Sequence, residues 1–141
     1  MSVLHSVKLR TFAHATEDRS RVEAALTFVS GSRAMECEML KGHHGDPLAK
    51  ITAFLKKRED LDSFLDRIKD SEILPEMLRT LDKRVDEHGT FYIRLSKQAA
   101  YEGRIKIAEK DDVIFIRAKV KAYPANRTEA IRLLKESLKE G

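Results

Sequence analysis

The fold is decided by the stretch Phe91-Tyr92-Ile93-Arg94-Leu95, together with Arg104-Ile105-Lys106-Ile107 and Ile114-Phe115-Ile116-Arg117-Ala118-Lys119-Val120. In each run an aliphatic or other apolar side chain recurs at every second position, so one side of the run is apolar. A period of two is typical of strands that bury one face and expose the other. The runs therefore predict three antiparallel strands of one sheet, over residues 91–96, 104–108 and 113–122.

The sequence before this stretch mixes the same pattern with helical blocks. Residues 2–11, 34–41 and 48–55 predict three more strands, although the last of these also fits the start of a helix. Apolar residues spaced three and four positions apart predict helices from Thr16 to Gly31, from Asp60 to Lys69, from Ser71 to Val85 and from Asn126 to Leu138. Thr16 and Asn126 are predicted N-caps, and Gly31 is a predicted C-terminal cap.

The predicted order of elements is βαββααβββα. This order favours the α+β class, with a mostly antiparallel sheet and the helices packed on one of its faces. A length of 141 residues and a hydrophobic content of 42% suit a single core. We therefore expect residues 1–141 to form one domain.

The chain contains a single cysteine, Cys37, which excludes an intramolecular disulfide. Such a composition is typical of cytoplasmic proteins. The sequence shows neither a signal-peptide pattern nor an apolar run of about 20 residues, so we expect no association with a membrane. Cys37 alternates with Glu36 and Glu38 and lies near Met35 and Met39, which predicts an inward side chain that serves as a small hydrophobe of the core.

Basic residues are concentrated in the C-terminal third of the chain. Residues 89–141 carry 12 Lys and Arg against 7 Asp and Glu, whereas residues 1–88 carry 15 against 16. If the isoleucines of the three C-terminal strands point inward, the opposite face presents six cations and no acid, namely Arg94, Arg104, Lys106, Arg117, Lys119 and Lys121. Cations neutralise phosphates, and Tyr92 and Phe115 on the same face offer rings to unpaired bases. The pattern favours an RNA-binding face; the alternative is a solvated face whose lysines prevent edge-to-edge aggregation.

Motifs for catalysis or cofactor binding are missing from the sequence. It contains no GxSxG, Walker or GxGxxG motif, and a helix start and a turn explain the paired carboxylates Glu17-Asp18 and Asp111-Asp112. His43, His44 and Asp46 could serve a metal-dependent hydrolase, but adjacent histidines diverge and lack the spacing that lets two side chains share one ion. We therefore predict a non-catalytic protein with no metal and no cofactor.

Four segments resemble a family of small archaeal proteins. They are His5-Ser-Val-Lys-Leu-Arg-Thr-Phe-Ala-His-Ala-Thr-Glu-Asp18, Gly42-His-His-Gly-Asp-Pro47, Arg94-Leu-Ser-Lys-Gln-Ala-Ala-Tyr-Glu-Gly103 and Asp111-Asp-Val-Ile-Phe-Ile116. The family is described as predicted RNA-binding or exosome-associated subunits and is otherwise uncharacterised. The resemblance implies a fold similar to that of ribosomal protein L5, RNA as the partner, and often a homodimer.

The most specific part of the resemblance is Lys97-Gln98-Ala99-Ala100-Tyr101, which offers a cation, an amide and a ring. These groups suit contacts to RNA, and they equally suit a connection between strands whose tyrosine packs on its neighbours. The leading hypothesis is a non-catalytic RNA-binding protein with exosome or ribosomal components as further partners. Its predicted RNA contacts are Arg94, Lys97, Gln98, Tyr101, Arg104, Lys106, Arg117, Lys119 and Lys121. The alternative is a structural or assembly protein that forms a homodimer and has no role with nucleic acid.

Overall fold

The structure is a computed structural model, and it describes residues 3–42, 45–110 and 112–139. The strands of this part are β1 (Leu4–His14), β2 (Glu36–Lys41), β3 (Pro47–Leu55), β4 (Thr90–Ser96) and β5 (Val113–Val120). Its helices are α1 (Arg19–Ser30), α2 (Arg58–Lys69), α3 (Leu74–Arg79), α4 (Leu81–Arg84), α5 (Lys97–Tyr101) and α6 (Arg127–Lys139). None of these helices is long and apolar enough to cross a membrane.

The strands form one sheet in the order β2-β3-β1-β5-β4, and every neighbouring pair is antiparallel. The N-terminal strand β1 lies at the centre, where Leu9 opposes Ala53 of β3 on one side and Ile116 of β5 on the other. The predicted α+β class with a mostly antiparallel sheet is therefore confirmed.

The helices cover one face of the sheet and build the core with it. Alternate side chains of the strands point to that face, and Leu9 and Ile51 among them are fully buried. The helices α1, α2 and α6 contribute apolar side chains such as Leu26, Phe64 and Leu134. Burying a side chain of this size stabilises the fold by about 1.5–3 kcal/mol. The apolar pattern of the strands thus decides which face of the sheet the helices cover.

The predicted strand over residues 104–108 is not a regular strand. Ser96 caps the short helix α5 by accepting a 3.1 Å hydrogen bond from a backbone N–H of that helix, so the chain leaves β4 through a helical turn and not through a tight hairpin. On its return, Ile107 forms an isolated bridge with Leu95, and the Ser96 N–H donates a 2.8 Å hydrogen bond to the carbonyl of Lys106. Residues 104–108 therefore flank the outer edge of β4 without extending the sheet.

Helix α1 begins later than predicted. Strand β1 continues to His14, and the N-cap is not Thr16 but Asp18, whose Oδ1 accepts a 2.9 Å hydrogen bond from the Ser20 N–H. The predicted end at Gly31 is confirmed, since this residue adopts a left-handed φ of 77°. The predicted helix over residues 71–85 is divided into α3 and α4.

Cys37 lies outside the core, contrary to the prediction. It opposes Ile51 and so points toward the helix-covered side of the sheet. However, β2 is an edge strand, and both Cys37 and Met39 are exposed there, Met39 to 59%. The alternation with glutamates identified the correct side of the strand, but it carried no information on how far the helices reach.

Cys37→Ser should therefore change the free energy of unfolding by no more than about 0.5 kcal/mol, because water solvates both an exposed thiol and an exposed hydroxyl. A thiol reagent should also modify Cys37 in the folded protein without denaturant. Chemical denaturation and a thiol titration measure the two effects. A loss of about 1–3 kcal/mol, the cost of burying a hydroxyl without a partner, would contradict the exposed position.

Candidate nucleic-acid interface

The face of the sheet opposite the helices, which we call the open face, carries cations and aromatic rings. Alternation along each strand places these side chains opposite the buried ones. They are Lys8, Arg10 and Phe12 of β1, Lys50 and Phe54 of β3, Tyr92 and Arg94 of β4, and Phe115, Arg117 and Lys119 of β5. Within these four strands, which the structure describes in full, no Asp or Glu points to the open face.

The register of the strands arranges these groups in rows across the sheet. From β4 to β3, one row runs Tyr92–Arg117–Lys8–Phe54 and the next runs Arg94–Phe115–Arg10–Thr52. Neighbouring strands lie about 4.8 Å apart. A ligand that lies across the open face along either row therefore contacts both cations and an aromatic ring.

Cation–π contacts fix the centre of the open face. The guanidinium carbon of Arg10 lies 4.9 Å from the ring centroid of Phe115 and 5.8 Å from that of Phe12. Arg94 approaches the ring of Phe115 to 5.6 Å. Such contacts contribute about 0.5–2 kcal/mol each, depending on exposure. The Nε of Arg10 is buried and has no hydrogen-bond partner among the described residues.

The ring of Tyr92 is exposed to 43% but held in place by its hydroxyl. That hydroxyl donates a 3.1 Å hydrogen bond to Oδ2 of Asp86, whose other oxygen accepts from the backbone N–H groups of His88 and Thr90. Partial burial opposes ionisation of Asp86, but these hydrogen bonds outweigh it and lower the pKa of the carboxyl. The carboxylate thus anchors a tyrosine ring that faces solvent.

Acidic side chains occupy only one border of the open face within the described strands. Glu36 and Glu38 lie on the edge strand β2, where they oppose Thr52 and Lys50 of β3. Glu38 forms an ion pair with Lys50 at 3.8 Å. The positive charge of the open face is therefore centred on β1, β5 and β4.

Four of the residues predicted to contact RNA lie on the open face or at its end, and all four are exposed: Arg94, Arg117, Lys119 and Lys121. No helix of the described chain covers them. Arg94 also donates a 2.9 Å hydrogen bond to the carbonyl of Glu109, which positions its guanidinium beside Phe115.

Three further predicted contacts are exposed but lie elsewhere. Lys106 is on the segment that flanks β4, and Gln98 is on α5. Arg104 lies 3.7 Å from Glu72 and 3.4 Å from Glu102, so two acids share its charge. These residues border the sheet and do not extend its rows.

Lys97 is buried, which corrects its assignment as a phosphate contact. Its side chain is only 2% exposed, and its Nζ lies 2.8 Å from Oε2 of Glu17 and 3.7 Å from Oδ1 of Asp112. The ammonium also donates a 2.8 Å hydrogen bond to the carbonyl of Phe12. RNA has no access to a charge that is enclosed in this way. Lys97 instead ties α5 to the end of β1.

Tyr101 belongs to the same buried network and does not lie on the open face. Its hydroxyl donates a 2.9 Å hydrogen bond to Oε2 of Glu17, and Arg21 lies over its ring at 4.9 Å. Burial and the hydrogen bond to Glu17 raise the pKa of Tyr101 to about 12. Partial burial disfavours the charged form of Glu17, but the hydrogen bonds from Lys97, His14 and Tyr101 outweigh it and lower the pKa of Glu17.

One group of potential metal ligands occurs among the described residues. Atoms of His14, Glu17 and Asp112 lie within 4.8 Å of one another. The ammonium of Lys97 contacts both carboxylates and so already supplies the positive charge between them. The arrangement is therefore explained as an ion-pair network. His43 and His44, which the sequence raised as ligands, lie outside the described residues.

The contribution of β1 and β3 to the open face was not predicted from the sequence. The alternation of Lys8 and Arg10 with Val7 and Leu9 is visible in the sequence, but it does not say which strands lie beside β1. The pairing of β1 with β5, which places Lys8 opposite Arg117, brings the two basic stretches together.

Comparison with known proteins shows the family of this chain. The chain matches the model of a protein family described as RNA binding over residues 6–120. An RNA-binding protein from Pyrococcus abyssi is 34% identical over 143 residues, which cover 95% of this chain and 93% of that protein.

Solved structures share the fold over nearly the whole chain. Mth689, a DUF54 protein from Methanothermobacter thermautotrophicus, has a TM-score of 0.87 at 31% identity, covering 96% of this chain and 98% of that one. Protein AF2318 from Archaeoglobus fulgidus, also of the DUF54 family, has a TM-score of 0.82 at 28% identity, covering 95% and 99%. Because the family model spans most of the chain, including nearly all of the open face, the chain belongs to the RNA-binding family that is also called DUF54 and has archaeal members.

Proposed function

We propose that this protein binds RNA through the open face. The observation that carries the proposal is the alternation of cations and rings in register across four strands, with Arg117 between Tyr92 and Lys8. Cations neutralise the phosphates, and the rings stack on unpaired bases. The family description and the relative from Pyrococcus abyssi support RNA as the ligand.

The proposed contacts differ in part from those that the sequence predicted. The phosphates are bound by Lys8, Arg94, Lys106, Arg117, Lys119 and Lys121, and the bases stack on Tyr92 and Phe54. Arg10 orients the rings of Phe12 and Phe115. Gln98 and Arg104 stay predicted contacts at the border of the sheet, whereas Lys97 and Tyr101 serve the fold.

The double substitution Lys8→Ala/Arg117→Ala tests the proposal. It should weaken binding by a similar factor for RNAs of different sequence, because phosphate contacts carry no base information. The slope of log K against log salt should become shallower, by up to about 0.7 for each phosphate of a single strand that is no longer neutralised. Fluorescence anisotropy with several labelled RNAs over a range of salt concentrations measures both quantities.

Arg33→Ala/Arg79→Ala is the matched control, because it removes the same charge from exposed positions on the helix side. It should shift affinity far less than the open-face pair. Equal losses in the two variants would show a general effect of net charge and would contradict a defined binding face. Thermal melting confirms that each variant is folded.

Further proposals concern the domain organisation, the location and the protein partners of the chain. We propose that residues 1–141 act as one unit, that this unit is non-catalytic and cytoplasmic, and that it contacts exosome or ribosomal components. Affinity purification of the whole chain with and without ribonuclease separates direct protein partners from those that RNA bridges.

Assembly is the second candidate function, and the exposed edge of β2 favours it. This edge has no strand partner within the described chain, and Met39 beside Cys37 is 59% exposed. An edge of this kind is a template for pairing with another chain. Light scattering over a range of concentrations tests for the homodimer.

A further inference from the structure

A groove of about 670 Å³ opens at the end of the sheet where β1 begins and β3 and β5 end. We call it the end groove. It gathers four cations from separate parts of the chain, together with a ring and an imidazole: Lys56, Arg58, Lys119, Lys121, Phe54 and His5. Its volume lies within the range of small-molecule sites. The end groove is therefore large enough for one nucleotide.

The charges of the end groove are mostly uncompensated. Among the described residues, only Arg58 of the four cations forms an ion pair, with Asp62 at 3.8 Å. Lys119 and Lys121 project from the same side of the sheet, and Lys56 lies at the end of β3. Like charges gathered around one groove repel each other, so a bound anion stabilises the arrangement.

The other groups of the end groove suit a nucleoside. Phe54 is 50% exposed, and Nζ of Lys56 lies 4.9 Å from its ring centroid. The pairing of β1 with β5 shifts by one residue between Leu4 and Ser6. Such a bulge changes the direction of side chains, and here it brings His5 into the groove wall. A ring and several donors thus lie on one side of a cationic depression.

We propose that the end groove binds the terminal phosphate of an RNA strand, with the terminal base against Phe54. This inference rests on the proposed function of the open face. A phosphomonoester carries a charge of about −1.5 to −2 near pH 7, whereas each internal phosphodiester carries one negative charge. Four cations in one groove match the greater charge of the monoester. The position also fits, because the end groove adjoins the row Tyr92–Arg117–Lys8–Phe54 and shares Phe54 with it.

The test compares three single-stranded RNAs of one sequence, which carry a 5′-phosphate, a 3′-phosphate or hydroxyls at both ends. Either the 5′-phosphorylated or the 3′-phosphorylated RNA should bind about tenfold more tightly than the hydroxyl-ended RNA. The reason is that hydrogen bonds between a cation and a phosphate are stronger than hydrogen bonds between neutral groups. Lys56→Ala/Arg58→Ala removes two cations of the end groove that are not among the proposed open-face contacts. It should abolish this difference and change binding of the hydroxyl-ended RNA much less. Arg33→Ala/Arg79→Ala should preserve the difference.

The outcomes separate this inference from the proposed function. If all three RNAs bind equally, or if the Lys56/Arg58 variant weakens all three alike, the end groove is not a terminal-phosphate site although RNA binding stands. If no RNA binds, the open-face proposal fails, and NMR with adenosine 5′-monophosphate against adenosine tests the groove alone. Shifts at His5, Phe54 and Lys121 with the monophosphate only would support the groove, and their absence would overturn it.

Discussion

Lys97→Met is expected to lower the free energy of unfolding at pH 7 by about 3–5 kcal/mol, the usual cost of removing one partner from a buried ion pair. Met keeps most of the length of the side chain but removes the charge. The carboxylate of Glu17 then loses its closest cation, and the carbonyl of Phe12 loses a donor. Urea denaturation of the variant and the wild type measures the difference.

The double variant Lys97→Met/Glu17→Gln is the matched control. The amide oxygen of Gln can still accept from the His14 N–H, and its NH2 group can donate to the hydroxyl of Tyr101, which in Glu17 donates to the other oxygen. The amide carries no charge that needs a cation. This variant should be more stable than Lys97→Met alone. A double variant that is less stable by the sum of two large losses would contradict the pairing of Lys97 with Glu17.

The loss of stability caused by Lys97→Met should also depend on pH. The folded state lowers the pKa of Glu17 below the ordinary value of 4.5, against the effect of its partial burial and through its hydrogen bonds, the one from Lys97 first. A lowered pKa contributes stability that is present above the unfolded value and is lost as the pH falls through the folded one. The gap between the wild type and Lys97→Met should therefore narrow as the pH falls below about 4.5. A constant gap from pH 7 to pH 3 would contradict this role.

Tyr92→Leu is expected to weaken binding of single-stranded RNA by about 1–3 kcal/mol, the usual contribution of a base stacked on an aromatic ring. Leu keeps an apolar side chain but cannot stack. The slope of log K against log salt should stay unchanged, because the substitution removes no cation. Duplex RNA of the same sequence should bind more weakly than the single strand, since its bases already stack on each other. Anisotropy titrations measure all three quantities.

Two further variants show whether the ring itself is responsible. Tyr92→Phe keeps the ring, loses only the hydrogen bond to Asp86, and should bind RNA nearly as the wild type does. Tyr123→Leu removes a ring that is 97% exposed and lies beyond the end of β5, and it should have no effect. Equal losses for Tyr92→Leu and Tyr123→Leu would contradict a stacking site on the open face.

Local periodicity predicted the strands because each strand buries only one face. Ile93 and Ile116 alternate with Arg94 and Arg117, and this pattern alone identified the open side of β4 and β5. The same logic failed for residues 104–108, because the capping of α5 by Ser96 redirects the chain and periodicity does not record it.

The errors at single residues have a common physical cause. A lysine is seldom fully buried. The residues around Lys97 also do not indicate that its partner is Glu17, which lies 80 positions earlier in the sequence. Lys8 and Arg117 are likewise far apart in sequence, and only their pairing in the sheet places them side by side. The candidate site was therefore predictable strand by strand, whereas its rows depended on sheet order, which local patterns do not contain.

The central position of β1 determines when the chain can complete its sheet. The hydroxyl of Thr11 donates to the carbonyl of Val113, 102 positions away, and contacts of this separation form slowly because loop closure costs entropy first. During synthesis β1 can join β3 early, but its other edge waits for β5. Lys8 meets Arg117 only when β5 docks, so the proposed binding surface is complete only after residues 113–120 have joined the sheet. A nascent or C-terminally truncated chain therefore lacks this surface and exposes an unpaired strand edge in the middle of the future sheet, where aggregation begins most readily.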